Sequence, residues 1–356
     1  MSFLYIHIPF CKKKCNYCSF VSFCGDTKAF ERYFDALCLE FSAKVEDKLK
    51  TAYIGGGTPS IVPIEFYQKF NLVFFEDYEF TFEINPKTVD MQYLQALKDL
   101  GVNRLSIGVQ SFDDEILVQI GRIHSADDAK KCVKMAQEVG FGNISIDLIY
   151  GLPNQTMCIW QKTITEAVSL GVQHISTYGL KIEKGTYFAH NIPENLPDED
   201  ICADMYLECI KNLSENGFEH YEISNFALPN FESKHNINYW KNNPYIALGV
   251  SAHGYQNGVR YENTSDFEAY LKNPLKPCAK VVLTQEDILQ EGIFLGLRMV
   301  KGIDLKEFEV WYGFDFEQKY AQILEKYEDF LVFQNRRISL TQEGLMLSNV
   351  ILAEFI

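Results

Sequence analysis

The chain has 356 residues, of which 47% are hydrophobic, and a formal net charge of -15. This size and composition fit a globular protein with one large domain and an appendage, or with two modest domains. The acidic excess argues against non-specific nucleic-acid binding, which depends on Lys and Arg neutralising phosphates. No apolar run reaches membrane-spanning length and no signal-peptide pattern opens the chain, so we expect a cytoplasmic protein that is not integral to a membrane. In that reducing compartment the ten cysteines are expected to be thiols or metal ligands rather than disulfides.

Short apolar or alternating segments predict six β-strands in the first half of the chain, at residues 4–8, 52–54, 80–84, 104–109, 144–149 and 174–178. Amphipathic segments between them predict helices, among them 88–100, 125–139 and 156–170, each followed by a glycine. Strands that alternate with helices imply an α/β fold with a parallel sheet and right-handed crossovers. Six such units suit a partly open barrel or a doubly wound sheet. Both place functional groups at the carboxyl ends of the strands.

The second half of the chain has a different character. A helix is predicted at 197–217, and residues 221–261 are rich in Asn, His and aromatic side chains, with a strand at 246–250. A Pro-containing boundary at 273–277 precedes helices and a hairpin at 331–340, whose turn is placed at Asn335 and Arg336. We therefore predict a core at 1–217, an extension at 218–277 and a small α+β, winged-helix-like module at 278–356. This module has no basic excess, which favours packing or a protein partner over DNA.

The strongest chemical signal is a loop just after the first predicted strand, where Cys11, Cys15 and Cys18 fall within eight residues. Three thiolates at this position can converge on one [4Fe-4S] cluster and leave one iron open for another ligand. The three lysines between Cys11 and Cys15 are expected to lower the pKa values of the thiols. The alternative is a zinc site, but structural zinc normally takes four ligands and no second cysteine pair follows with suitable spacing.

Glycine and polar residues mark the ends of the next predicted strands. A glycine run precedes Thr58, where missing side chains would let the backbone approach a ligand closely. Glu83 and Gln110 end the third and fourth strands, and Asp147 lies within the fifth. Each of these is equally well explained as an ordinary strand end. Their shared position at one edge of the sheet favours a ligand site.

Several of these motifs together resemble the radical S-adenosylmethionine (SAM) proteins related to oxygen-independent coproporphyrinogen III oxidase. They are residues 5–11 with the cysteine loop, the glycine-rich turn before Pro59, and residues 104–112. The resemblance covers essentially the whole chain. It implies a partial (β/α)6 TIM-like barrel in which SAM binds the open iron. The reduced cluster then cleaves SAM to a 5′-deoxyadenosyl radical.

The same resemblance implies a set of SAM contacts, namely Tyr5, Tyr17, Gly56, Gly57, Thr58, Glu83, Gln110, Arg122 and Asp147. Small residues would admit the methionine backbone. The carboxylates of Glu83 and Asp147 and the amide of Gln110 are suited to the ammonium group or the ribose hydroxyls. Arg122 is suited to the SAM carboxylate.

Two departures from the decarboxylase pattern indicate a heme-chaperone branch of this family. The porphyrinogen decarboxylases carry another cysteine two residues after the third ligand, where this chain has Phe20. They also have an N-terminal extension that contributes to the active site, whereas here the cluster loop begins at Cys11. Resemblance to the chaperone branch implies that the protein binds heme and passes it to acceptor proteins.

A second motif, His-Asn-Ile-Asn-Tyr-Trp at 235–240, supports this branch. An imidazole beside aromatic rings offers a ligand for heme iron and a surface for the macrocycle. Without the family, a lone histidine is more often a hydrogen-bonded structural residue. The resemblance makes His235 the leading heme ligand and His253 the reserve.

Two functions stay open at this point. The first is a heme chaperone that uses a [4Fe-4S] cluster and SAM, and the second is a radical SAM enzyme acting on a porphyrin, as a decarboxylase, methyltransferase or heme-opening enzyme. Phe20 and the His235 motif favour the first. The sequence leaves open whether the chain is an enzyme, whether it touches a membrane peripherally and whether it forms a homodimer.

Overall fold

A computed structural model describes residues 2–355. Its first part alternates strands with helices. The strands are β1 (Ser2–Ile8), β2 (Leu49–Gly56), β3 (Phe74–Ile84), β4 (Arg104–Gln110), β5 (Ile144–Tyr150) and β6 (His174–Gly179). The helices are α1 (Thr27–Lys44), α2 (Ile64–Tyr67), α3 (Met91–Asp99), α4 (Asp114–Gln119), α5 (Ala126–Val139), α6 (Met157–Ser169), α7 (Tyr187–His190) and α8 (Glu199–Glu215), with a short 3-10 helix at Pro59–Ile61.

The remainder has shorter elements. The middle of the chain contains β7 (Glu219–Glu222), β8 (Asn225–Ala227), α9 (Lys234–Trp240), β9 (Ile246–Leu248), β10 (His253–Gln256), β11 (Val259–Glu262), α10 (Phe267–Lys272) and β12 (Ala279–Val282). The last part contains α11 (Gln285–Gly296), β13 (Ile303–Asp304), α12 (Leu305–Tyr312), α13 (Phe316–Lys319), α14 (Ala321–Lys326), β14 (Leu331–Gln334), β15 (Arg337–Leu340), α15 (Gln342–Met346) and α16 (Ser348–Ala353), with a 3-10 helix at Glu328–Phe330.

The six predicted strands lie side by side in chain order and are parallel, as expected of repeated βα units. Three further strands extend the sheet to nine. β9 pairs in parallel with β1, β8 pairs antiparallel with β6, and β7 pairs antiparallel with β8. Within residues 2–355 the two outer strands β7 and β9 are not hydrogen-bonded to each other, so the barrel is open. The partial-barrel prediction is confirmed.

The helix boundaries follow their capping residues. Ser125 caps α5 by accepting a hydrogen bond from the backbone of Asp128, and Gly140 ends the helix at a φ of +93°, as predicted. The predicted helix 88–100 begins three residues late, because Asp90 caps α3 instead. The hydroxyl of Thr88 donates to the carbonyl of Asn85 at 2.6 Å and belongs to the preceding turn.

Alternation along the central strands separates two environments. In β4, Leu105, Ile107 and Val109 are fully buried in the main hydrophobic core. Arg104 and Ser106, at the intervening positions, line a cavity on the inner side of the curved sheet. Because successive strand residues point to opposite faces, the apolar face packs against the helices while polar side chains point inward.

A second hydrophobic core is formed by the last part of the chain, from Leu289 to Phe355. It joins α11–α16 to a small sheet of order β13-β15-β14. The predicted hairpin is present, and Asn335 and Arg336 have φ values of 52° and 56°, the left-handed conformation that a two-residue hairpin turn requires.

The predicted segments 1–217, 218–277 and 278–356 stay a prediction. The main core includes Leu248 and Tyr270 from the middle segment, and β12 pairs with β11 across the proposed boundary at 277. Of the helices between residues 2 and 355, none is long and apolar enough to cross a membrane.

Candidate functional site

The cysteine loop is held in place by backbone hydrogen bonds to three other segments. Cys11 donates its N–H to the carbonyl of Phe23 at 3.0 Å, and Asn16 donates to Ile120 at 3.0 Å. The carbonyl of Asn16 accepts from Phe188 at 3.0 Å. These contacts fix a loop without regular structure at the carboxyl end of β1.

The glycine-rich turn lies directly against this loop. Gly57 donates its N–H to Ile8 at 2.8 Å, and a Cβ atom on Gly57 would meet the carbonyl oxygen of Phe10 at 2.7 Å. Gly56 has a φ of +117°, and a Cβ atom there would meet the ring of His7 at 2.6 Å. Glycine is therefore required at both positions by close approach, and at Gly56 also by backbone conformation.

Two of the three cysteines have polar side chains next to their sulfur atoms. The Sγ of Cys11 lies 3.5 Å from the hydroxyl of Thr58, and the guanidinium of Arg122 donates to the Sγ of Cys15 at 3.6 Å. Burial raises the pKa of Cys11 and Cys18 above the ordinary value, and the Lys14 charge opposes this only weakly at Cys18. The Lys14 charge lowers the pKa of Cys18, as predicted, but burial is the larger effect and the net shift is upward.

A cavity of about 430 Å³ opens beside the three thiols and extends into the barrel. All three cysteines line it. Of the nine predicted SAM contacts, Tyr17, Gly56, Gly57, Thr58, Glu83, Gln110, Arg122 and Asp147 line it as well. Tyr5 does not; its hydroxyl hydrogen-bonds His7 at 3.0 Å, and its ring lies 6.1 Å from that of Tyr53, a lining residue.

Two carboxylates on neighbouring parts of the barrel wall face this cavity. Glu83 accepts hydrogen bonds from the Tyr53 hydroxyl at 2.8 Å and from the Gly56 N–H at 3.0 Å. Although cavity solvent reaches part of its side chain, burial raises the pKa of Glu83 to about 7. Asp147 accepts from the Ser106 hydroxyl at 3.3 Å, and burial raises its pKa too. Such carboxylates are poorly solvated and suited to a cationic or hydroxyl-bearing ligand.

Gln110 and Arg122 line the cavity near the carboxyl end of β4. Gln110 is a non-glycine residue with a φ of 71°, at a register shift in the pairing of β4 with β5. Such strain at a strand end is typical of functional sites. Arg122 donates to Asn85 at 2.5 Å and to the Gly108 carbonyl, while its buried Nε has no partner. A ligand carboxylate would satisfy that N–H.

The donor set suits an iron-sulfur cluster. Among residues 2–355, no three His, Cys, Asp or Glu side chains lie close enough together to ligate a single metal ion. A four-iron cluster does not need such a group, because each of its cysteines binds a different iron. The loop thus supplies thiols at one end of a polar cavity, with positively charged Arg122 next to Cys15.

His235, the predicted heme ligand, is buried outside the cavity. Its ring is 1% exposed and does not line the cavity. Its Nδ1 lies 2.6 Å from the Thr51 hydroxyl and its Nε2 lies 2.8 Å from the Tyr239 hydroxyl, so both ring nitrogens have partners. Glu79 accepts from the His235 backbone N–H at 3.0 Å. In this conformation the hydrogen bonds of His235 join α9 to β2 and β3, and iron ligation would require one of the contacts of its ring to break.

Sequence reasoning missed part of the cavity lining, which includes Tyr53, Arg104, Ser106, Ser176 and Asn236. A signal for most of these residues was available. In β4, Arg104, Ser106 and Gln110 alternate with buried apolar residues, and in β6 the side chains of His174, Ser176 and Tyr178 occupy every second position. A polar face on a buried strand predicts a solvated interior, so the ligand site extends well below the strand ends.

Comparison with known proteins places the chain in a family. A protein named heme chaperone HemW from Lactococcus lactis is 38% identical over 365 residues, covering 99% of this chain and 96% of the relative. The chain belongs to the HemW family. A protein of the same name from Bacillus subtilis is 35% identical, covering 100% of this chain and 99% of the relative.

Two domain families match within the chain. The Radical SAM superfamily matches residues 5–167 and the HemN C-terminal domain matches residues 283–347. Membership of the radical SAM superfamily implies a [4Fe-4S] cluster and SAM. The structure of coproporphyrinogen III oxidase (HemN) from Escherichia coli, a radical SAM enzyme, superposes with a TM-score of 0.86 at 23% identity, covering 99% of this chain and 90% of that one. This likeness confirms the predicted radical SAM fold with an additional C-terminal module.

Proposed function

We propose that this member of the HemW family is a heme chaperone that binds heme, carries a [4Fe-4S] cluster with SAM, and delivers heme to acceptor proteins. The observation that carries the proposal is the cavity, which has three free thiols at its mouth and eight of the nine predicted SAM contacts along its wall. The names of the relatives supply the heme function. Cytoplasmic location, peripheral membrane contact and a homodimer stay predictions.

The cluster is assigned to Cys11, Cys15 and Cys18. A reduced [4Fe-4S] cluster, when bound, supplies an electron for the reductive cleavage of SAM. The protein's part is to hold the loop in position and to provide charge beside it. Arg122 provides a positive charge next to Cys15 and an unpartnered Nε–H directed to the ligand side. Thr58 provides a hydroxyl next to Cys11.

SAM is assigned to the cavity wall. The ammonium group suits Glu83, since its carboxylate is already oriented by Tyr53 and Gly56. The ribose hydroxyls suit Asp147 and Gln110, and the carboxylate suits Arg122. The two glycines of the turn leave room for the backbone-like atoms of the methionine group. Tyr5 would act through Tyr53 rather than by direct contact.

Heme is assigned to the exposed apolar surface at the edge of this cavity, apart from the SAM contacts. Phe20 and Ile123 line the cavity and are 61% and 41% exposed, so they offer an apolar surface at its mouth that suits a planar macrocycle. His235 lies apart from this surface, because its partner Thr51 is near the start of β2 whereas Phe20 follows the cysteine loop at the carboxyl end of β1. As the iron ligand it requires α9 to release its ring and to move towards the bound heme. The side chain of His253 is 63% exposed and needs no such change, although it lies 3.7 Å from Glu262.

Heme titration of the cluster-reconstituted protein tests these assignments. The protein should give a Soret band, and His235→Ala should weaken heme binding while iron and sulfide contents stay unchanged, if the ring ligates heme. Tyr239→Phe is the matched variant, because it keeps the imidazole and frees its Nε2. It should then retain or strengthen binding. Unaltered heme affinity in His235→Ala would move the ligand to another residue, and His253→Ala would be measured next.

The competing function is a radical SAM enzyme acting on a porphyrin. The same titrated protein, supplied with SAM, a reductant and coproporphyrinogen III, should form no protoporphyrinogen IX. Efficient conversion would overturn the chaperone proposal in favour of the enzyme. Absence of a Soret change at any heme concentration would also overturn it.

A further inference from the structure

Arg104 is a buried cation that has no ion-pair partner in the part of the chain that the structure describes. It is the first residue of β4, is 2% exposed and lines the cavity at the end remote from the carboxyl ends of the strands. Its one hydrogen bond, to the Thr81 hydroxyl, is long at 3.5 Å, and its buried Nε has no partner. Within residues 2–355 it takes part in none of the ion pairs, although burying an unpaired charge is strongly unfavourable. Its positive charge therefore has a role other than a local contact.

The strand register places Arg104 below the two acids of the proposed SAM site. Across β3 and β4, Arg104 is opposite Thr81 and Ser106 is opposite Glu83. Across β4 and β5, Gly108 is opposite Asp147. The guanidinium thus lies on the same inner face of the sheet as both carboxylates. Inside the barrel, the Arg104 charge acts on the two carboxylates with less screening than it would have in water.

Few other charged groups face these acids. The two acids face each other, and the Asp147 charge raises the pKa of Glu83. The other titratable and charged groups around them from the neighbouring elements are Tyr5, Tyr53, Arg104, Arg122 and Tyr178. The tyrosines are neutral, because burial raises their pKa values further above the ordinary value. Of the two arginines, Arg122 already contacts Cys15, Asn85 and Gly108. The Arg122 charge also lowers the pKa of Asp147, whereas the Arg104 charge lowers the pKa of both acids.

We propose that Arg104 is a positioning residue that keeps Glu83 and Asp147 ionised and so sets the lower pH limit of SAM binding. The inference rests on the proposed SAM site. A guanidinium stays charged throughout the accessible pH range, so its effect is constant while the acids titrate. Burial raises the pKa of both acids, and the Arg104 charge opposes that rise. Without the Arg104 charge, the pKa of both acids rises further. Both carboxylates then stay protonated up to a higher pH and lack the negative charge that holds the ammonium group.

The test is the pH profile of SAM binding, read from the SAM-induced change in the cluster's visible spectrum between pH 6 and pH 9. In the wild type, binding should strengthen as the pH rises through the region of about 7 in which Glu83 ionises. In Arg104→Gln the midpoint should move upward by about one pH unit. Arg104→Lys keeps the charge and should restore the wild-type midpoint. Thr81→Val, which removes only the hydrogen-bond partner, should leave the midpoint unchanged.

The outcomes separate this inference from the function on which it rests. If the wild type shows no SAM-induced change at any pH, the SAM site itself is wrong. If the wild type binds SAM and Arg104→Gln has the same midpoint, the Arg104 proposal is wrong. Arg104→Met is a second neutral variant in case Arg104→Gln does not fold. Failure of both neutral variants to fold would assign Arg104 a structural role and overturn the proposal.

Discussion

Replacing Glu83 with glutamine should stabilise the ligand-free protein at alkaline pH and weaken SAM binding. Burial raises the pKa of Glu83 from an ordinary value of 4.5 to about 7. The folded state therefore binds more protons than the unfolded state between these values, and stability falls as the pH rises through that window. The ionised carboxylate is a destabilising group that the ligand-free protein keeps for a cationic ligand.

The size of the effect follows from the pKa difference. Each pKa unit corresponds to about 1.4 kcal/mol in the free energy of unfolding, and solvent in the cavity makes the actual effect smaller than the pKa difference alone would give. Glu83→Gln should therefore raise the free energy of unfolding by about 1–3 kcal/mol at pH 8 and by much less at pH 5. Loss of the charge should weaken SAM binding by about 1.5–3 kcal/mol, roughly 10- to 150-fold, because a hydrogen bond to a charged group is removed.

Urea unfolding of the ligand-free variant and wild type at pH 5 and pH 8 measures the first effect, and spectral titration with SAM measures the second. Glu76→Gln, on an exposed part of the same strand β3, is the control and should change neither quantity. The reasoning fails if Glu83→Gln is less stable than wild type at pH 8, or if its stability difference is the same at both pH values.

Further predictions concern the cluster loop and the cavity wall. Cys15→Ala should abolish the iron and sulfide content after anaerobic reconstitution while exposed Cys24→Ala retains it, and equal iron content in the two would refute the ligand assignment. Asp147→Asn should weaken the SAM-induced spectral change without loss of the cluster, and unchanged affinity would remove Asp147 from the SAM site. Gly57→Ala should lower thermal stability and iron content together, because its Cβ would meet the Phe10 carbonyl at 2.7 Å; wild-type values of both would contradict the close approach.

The strands and the cluster loop were predictable because their signals are local. Each strand is a short apolar or alternating run, and Ser125 begins α5 and Gly140 ends it through contacts with their immediate neighbours. The start of α3 was placed at residue 88, although Asp90 caps this helix. Parallel βα repetition then brings the strand ends together without further information. The glycine turn and the cysteine loop meet because both follow neighbouring strands of this sheet.

The place of α9 was not predictable from the residues alone. The composition of this seven-residue helix, with His, Tyr and Trp, fits an exposed binding site and a buried structural helix equally well. Its burial depends on contacts between residues far apart in the chain, such as the hydrogen bond between His235 and Thr51 and the capping of α9 by Glu79. Arg104 was missed for a related reason, since only the register of three strands shows that it lies below Glu83.

Heme transfer is the measurement that tests the central claim most directly. Heme-loaded, cluster-reconstituted protein is mixed with an apo form of a heme protein, and the Soret spectra of donor and acceptor are followed over time, with free heme at equal concentration as the control. The account predicts that the donor loses heme as the acceptor gains it, faster or more completely than from free heme. Failure of the protein to bind heme, or retention of bound heme in the presence of every acceptor tested, would contradict the chaperone function.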